Sequence, residues 1–512
     1  MVHRFTVSTE CPNCAAPLDF TEGSNAVRCL HCQSNLLVTG RKRVLTYFVA
    51  PKLDAQEALA KVLEAQARSK YRVAKTQLYF IPYYRFTGHD LRWEEEVVQR
   101  PKPALNGHLF SSPVTSDHSW GSTSSSDDFF SLLQSTSEIL RQVFGGGGVP
   151  SVIEDKTPSK PPAKEQAFEL KEAVRAPGLS PRALLKGPDG MTLAEHYLEK
   201  NFIALSLDGV GLYSLGVRPS VLRLELFRRA VLHPLGKIVQ PNLSPKAALD
   251  RGLKTEKSHA LIYRKVVGGI LSMIYFPFWV VEVEHAGKTL LAILDAVSQS
   301  VIKLDAGPEL YSVLDHEPRG DPPVVGFRPL ICPNCGWDLP VRPEDVIFVC
   351  SSCNKAWQIL GNNLGAVACQ VAESPKTRRQ DKMKYLPFWV LNTEKMNEKF
   401  PSLFFLPAFR YRRLKYLSDL ARAISLMQPS YSLLEGERPK LHGCYYDQED
   451  AVMLAQFTRA SLIPRNLEGI KALQKDELTL TGATLTWLPF EIRANALVDP
   501  LTGLHLPQNL LL

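Results

Sequence analysis

Between Val266 and Val281 the chain reads VVGGILSMIYFPFWVV, sixteen residues without a charge, bounded by Arg264-Lys265 and Glu282. A membrane-crossing helix needs about 20 apolar residues, and this run also carries Gly268-Gly269 and Pro277. Its β-branched and aromatic content predicts a buried strand, or a pair of strands. A shorter pattern recurs: aromatic, apolar, proline, aromatic. It is found at Phe80-Ile-Pro82-Tyr-Tyr84, Tyr275-Phe-Pro277-Phe-Trp279, Tyr385-Leu-Pro387-Phe-Trp389 and Trp487-Leu-Pro489-Phe-Glu491, with a degenerate copy at Phe405-Leu-Pro407-Ala-Phe409. Proline has no amide to donate, so within a sheet it belongs at an edge, a bulge or a strand start. The residue before it is held extended, which predicts a strand bent at a fixed point. Two copies continue alike, through Ala292-Ile-Leu-Asp295 and Ala496-Leu-Val-Asp499, each a strand followed by an Asp-initiated turn.

Helical spacing marks two further segments. Asp54-x-x-Glu57 opens Ala55–Arg68, with Leu59, Val62 and Leu63 expected on one face. Arg413–Met427 places Leu414, Leu417, Leu420, Ala421 and Ile424 at helical intervals. The expected fold class is therefore α+β: about four small modules, each a helix on a short antiparallel sheet, over residues 41–100, 166–325 and 361–512. A linker over 101–165 separates the first module from the next. It holds Pro101-Lys-Pro103, the serine-rich Ser111–Ser126 run and Gly145–Gly148, and such composition buries little apolar surface. Within it, Asp127–Phe144 places Phe130, Leu133, Leu140 and Phe144 close to one helical face. That helix is a candidate docking element for a groove, on a protein partner or on this chain itself.

Composition changes this picture little. The chain has 512 residues, 45% of them hydrophobic and 22% charged, which excludes global disorder. Ten cysteines are far too few for a disulfide scaffold. Lysine and arginine exceed the acids by 8, too dilute a surplus to imply nucleic acid by itself. The start lacks the apolar core of a secretory signal, so the expected compartment is the cytoplasm.

Cysteine spacing carries the strongest chemistry. Cys11-Pro-Asn-Cys14 and Cys29-Leu-His-Cys32 are separated by fourteen residues, as are Cys332-Pro-Asn-Cys335 and Cys350-Ser-Ser-Cys353. Each Cys-x-x-Cys is a knuckle that aims two thiolates into one half-site, and two knuckles close a four-sulfur shell of the kind Zn²⁺ prefers. A redox pair needs no second Cys-x-x-Cys at matched distance, and rubredoxin-type iron centres usually have a longer insert between knuckles. The expectation is two Zn²⁺ per chain, in ribbons over residues 1–40 and 326–360. His31 is read as a solvent-facing filler, and Cys369 and Cys444 as small core residues.

Both segments resemble the zinc ribbons of the rubredoxin-like class, seen in transcription factor IIB, polymerase subunits and many bacterial proteins. With the Pro-Phe-Trp motifs, the chain resembles a widespread group of bacterial ribbon proteins. The resemblance implies fold and metal and lends no activity.

Local charge weighs the function classes. Asp19, Glu22 and Arg28 give the first ribbon −1, and Asp338, Arg342, Glu344 and Asp345 give the second −2. Each four-thiolate zinc site adds a further −2, lowering the chain's surplus to about +4. Ribbons that grip phosphates carry lysine and arginine instead. Basic residues gather elsewhere, at Arg410, Arg412, Arg413 and Lys415 around Tyr411, which makes these the candidate polyanion contacts. No phosphate loop, nucleophile elbow or His-Glu-x-x-His is present. The expected function is a non-catalytic zinc-binding scaffold or adaptor for protein–protein assembly. A nucleic-acid-binding ribbon protein is the alternative, and a membrane-associated assembly factor the lesser one.

Overall fold

The computed structural model describes residues 4–39, 44–65, 72–95, 191–206, 222–245, 247–248, 261–285, 287–315, 325–374, 380–394, 401–436, 438–462 and 478–512. The linker over 101–165, with Phe130, Leu133, Leu140 and Phe144, lies outside these residues. The fold is α+β, with many strands in several sheets and few helices. Val266–Val281 lies inside one long strand, Leu261–His285. Among the described residues no helix is long and apolar enough to cross a membrane.

The two large sheets share a local layout. In the first, Arg72–Glu95 and Leu261–His285 pair antiparallel along nearly their whole lengths. Met191–Ile203 flanks the former, and Lys288–Asp295 then Val301–Ala306 continue from the latter. Leu45–Phe48 runs parallel to Ser272–Tyr275. In the second sheet, Met383–Thr393 pairs antiparallel with Leu480–Arg493, Leu403–Pro407 flanks the former, and Ala496–Val498 then His505–Pro507 continue from the latter. Here Cys369–Val371 runs parallel to Leu485–Trp487. The four aromatic–proline motifs thus oppose one another in twos. Tyr275 faces Pro82 and Pro277 faces Phe80, while Tyr385 faces Pro489 and Pro387 faces Trp487.

The motif prolines lie in strand interiors, at a location with a clear physical reason. Each marks the point where one neighbouring strand ends and the next begins. On one side of Leu261–His285, the parallel neighbour stops opposite Tyr275 and the antiparallel one starts opposite Phe278. Pro277 falls in the gap, where an amide would have no partner. Pro489 falls between the neighbours at Leu485–Trp487 and at Glu491–Arg493. Pro82 falls between the neighbour at Tyr79–Phe80 and the one beginning at Tyr83. Pro387 falls between the Tyr385–Leu441 bridge and the strand beginning opposite Phe388. Their carbonyls still accept, Pro82 from Ala204, Pro277 from Ala296 and Pro387 from Ala408. The aromatic neighbours fill the cores, and Phe388 stacks on Phe490 with 5.9 Å between ring centroids.

Helix starts follow local chemistry. Asp54 and Glu57 form a reciprocal capping box, each backbone amide donating to the other side chain at 3.2 and 2.8 Å. The helix Ala55–Ala65 buries Ala58 and Val62, whereas Leu63 is 45% exposed, so the apolar face is rotated from the expected one. Leu414–Met427 buries Leu414, Leu417, Leu420, Ala421 and Ile424 as its spacing predicts. Arg413 makes no side-chain cap for it, and Glu195 from the first sheet accepts the Lys415 amide instead, at 3.1 Å.

That contact is one of several joining the two sheets. Ends of the long first-sheet strands reach the helix Gln448–Ser461, where Trp93 stacks on Phe457 at 5.4 Å. Gly268-Gly269 marks a register shift between Val267 and Ile270. Gly268 adopts φ +65°, and its amide donates to Asp450 at 2.8 Å.

Candidate metal centres

Each Cys-x-x-Cys sits at the tip of a strand pair. In the first ribbon the pairs are Thr6–Glu10 with Pro17–Thr21 and Ala26–Arg28 with Asn35–Thr39. In the second, Ile347–Val349 pairs with Ala356–Leu360, and Ile331 bridges Asp338. All four knuckles close in the same way. The residue after the second cysteine donates its amide to the carbonyl of the first, at 2.8 Å for Ala15, 3.0 Å for Gln33, 2.9 Å for Gly336 and 3.0 Å for Asn354. To do so each takes a left-handed backbone, with φ of 58°, 62°, 74° and 59°. Glycine and asparagine tolerate this region readily, so the second ribbon announces its knuckles more clearly than the first.

The result is two four-thiol clusters, Cys11, Cys14, Cys29 and Cys32, and Cys332, Cys335, Cys350 and Cys353. Within each cluster the sulfurs lie within 4.8 Å of one another. Cys11 to Cys32 is 3.7 Å, Cys14 to Cys29 3.8 Å, Cys332 to Cys353 3.6 Å and Cys335 to Cys350 3.5 Å. A metal with bonds of about 2.3 Å to four tetrahedral sulfurs spaces them by about 3.8 Å. A disulfide would require about 2.05 Å. The donor set and spacing therefore fit one metal ion per cluster.

Hydrogen bonds already favour the thiolate form at one cysteine of each site. The Ser34 hydroxyl, then its amide, hold the Cys32 thiol down to about 6. Burial works against Cys332, but the amides of Cys335 and Asn334 outweigh it and hold that thiol down to about 6. Of the remaining candidates, His31 is exposed, and Cys444 is buried as expected. Cys369 packs at the margin of a core rather than within it. It is half-buried, its sulfur 3.5 Å from the Arg438 guanidinium.

The two ribbons are in contact. Gly326–Pro329, leading into the second ribbon, pairs antiparallel with Leu36–Thr39 of the first. The Leu330 amide donates to the Asn35 carbonyl, and the Asn25 amide to the Pro343 carbonyl. Ala26 and Leu37 from the first ribbon share one apolar core with Leu339, Phe348, Trp357 and Ile359 from the second, and the ligands Cys332 and Cys350 line it.

Charged residues tie the ribbons to the sheets, which corrects the simple charge count. Glu22 is not a solvated ribbon charge. It is buried against Arg85, itself fully buried, at 2.9 Å, and it also accepts the Ser272 hydroxyl. Arg85 reaches Glu199 at 2.7 Å and lies over the Phe5 ring. Burial opposes its charge, but Glu22 and Glu199 outweigh that and raise its pKa. In the second ribbon, Glu344 pairs with Arg4 and with Arg410. Arg410 thus separates from the other polyanion candidates: it lies over Tyr445, while Arg412, Arg413 and Lys415 are exposed.

Asp345 makes the junction pH-dependent. Burial pushes its carboxyl up to about 7, against the pull of Arg342 at 3.5 Å. Its folded value lies above its unfolded one, so the folded chain holds this proton more tightly. Stability from this group is full below about pH 4 and falls as pH rises to about 7. Asp345→Asn should therefore stabilise the chain more at pH 8 than at pH 4.5, read as urea midpoints. An equal effect at both pH values contradicts the assignment.

The fold and sites define a protein of two ribbon-like four-cysteine modules set on two β-sheets of matching layout. The chain matches no family model, no curated protein and no solved structure.

Proposed function

We propose that the protein is a non-catalytic scaffold in which two structural zinc ribbons hold two copies of one β-sheet unit in a fixed relation, for assembly with a partner protein. The core shared between the ribbons carries this reading, because it makes each metal site part of the joint between the sheets. Zinc is the favoured ion, since four thiolates at tetrahedral spacing suit it and a closed shell leaves no position for substrate. The matching strand layouts, each with two opposed aromatic–proline strands, support an internal duplication.

Recruitment is assigned to Asp127–Phe144 together with the surface of the joined sheets. Native capture from the protein's own cells, analysed for proteins and nucleic acids, tests this. Deleting residues 101–163 should abolish capture of a protein partner while zinc content stays at two per chain and melting is nearly unchanged. Unaltered capture overturns the recruiting role, and capture of nucleic acid alone overturns the scaffold.

A further inference from the structure

In the second ribbon, among the described residues, the strand Ile347–Val349 has a strand partner on one side only, Ala356–Leu360. On its other side an isolated bridge joins Ile347 to Cys444. From that bridge the segment running back to Arg438 diverges from the strand, leaving an open groove of about 320 Å³. The ribbon pairing fixes what the strand shows to this groove. The Cys350 amide donates to Lys355 and the Ile359 amide to Val346, so alternate residues bond across the ribbon. The amide and carbonyl of Val349, between them, point outward to the groove.

The groove is also cationic. Arg342, Arg438 and Lys440 line it beside the imidazole of His442, and Asp345 is the one carboxylate among the described lining residues. Arg438 is held in place by donating to the Asn354 carbonyl at 2.6 Å, and Arg342 by donating to the Leu441 carbonyl at 3.0 Å. Burial first, then the charges of Lys384 and Arg342, hold His442 down to about 4. Burial and Lys440 lower Lys384 as well. Burial is the larger cause of both shifts, and the neighbouring cations add to it.

We propose that this groove binds an acidic, extended segment of a partner protein as an added strand on the second ribbon. Edge backbone groups supply the strand pairing, and the flanking cations select the sequence. Phe348 and Trp487 are each only 1% exposed, so neither large ring lining the groove offers a face for stacking bases. This inference rests on the scaffold reading and gives it a partner chemistry.

The test uses the full zinc-loaded chain and a fluorescein-labelled peptide of about eight alternating glutamates and valines, followed by anisotropy. Saturable binding is expected, and Lys384→Glu with Lys440→Glu should weaken it by roughly tenfold or more without changing zinc content or melting temperature. Methylating the peptide's backbone amides should weaken it comparably. Absence of binding, equal binding of a lysine–valine peptide, indifference to the charge reversals, or tighter binding of an oligothymidine each overturns the proposal. If the peptide fails to bind a chain that holds both metals and melts normally, the groove assignment falls and the scaffold reading stands.

Discussion

Replacing Cys335 and Cys353 by serine should remove one zinc per chain and destabilise the protein well beyond the second ribbon. These two are the more accessible ligands of their site, one exposed and one half-buried, so serine at either position leaves the packing of Cys332 and Cys350 intact. The expected cost arises from the metal. Apparent binding energies of structural zinc are on the order of 10–16 kcal/mol, and in a small ribbon that energy is folding energy. Phe348, Trp357 and Ile359 of the second ribbon pack with Ala26 and Leu37 of the first, so loosening one ribbon exposes apolar surface on the other. A loss of roughly 3–5 kcal/mol, read as a fall in urea midpoint and an earlier first transition, is the expected outcome. A chain that keeps its midpoint with one metal would show the ribbons to be independent appendages.

The second large effect lies at the buried ion pair. Arg85→Met removes the ion-pair partner of Glu22 and leaves a carboxylate inside the protein, with the Ser272 hydroxyl still donating to it. Breaking such a pair costs about 3–5 kcal/mol, because the stranded charge is uncompensated. Adding Glu22→Gln to Arg85→Met should recover a good part of that loss, since the amide carries no charge to desolvate. The comparison of the single and double variants by denaturant midpoint separates the stranded charge from lost packing on Phe5. If the double variant is no more stable than Arg85→Met, the damage comes from packing and the pair does not anchor the first ribbon.

Much of the metal chemistry was legible because it is local. Four thiols at fixed spacing declare a closed site whatever surrounds them, and the structure gathers the same eight cysteines. The capping box at Asp54 and Glu57 was legible for the same reason. The aromatic–proline motifs announced strands with proline at an edge, a bulge or a start and a bend there, but not that each proline sits inside a continuous strand and fills a gap between two successive neighbours, since those neighbours come from distant segments. Long-range pairing also hid the charges that matter. Glu22 reads as a solvated turn residue until Arg85 is brought beneath it, and Arg410 as part of a basic run until Glu344 claims it. The cationic groove joins Arg342 of the ribbon to Arg438 and Lys440 from nearly a hundred residues later, so no local pattern contained it. Leu63 failed differently. The first helix is short and partly buried, and Ala58, a weak hydrophobe, turned out to mark the inward face.

The central claim is that the two ribbons act as one metal-dependent joint between the two sheets. Hydrogen exchange on the Cys335→Ser, Cys353→Ser chain tests it most directly, with the first ribbon's own four cysteines left intact. Protection of Ala26–Arg28 and Asn35–Thr39 should fall along with that of Ile347–Val349 and Ala356–Leu360, because the second ribbon supplies most of the core the two share. Full protection of the first ribbon, with its single zinc retained, would contradict the joint and leave two separate modules.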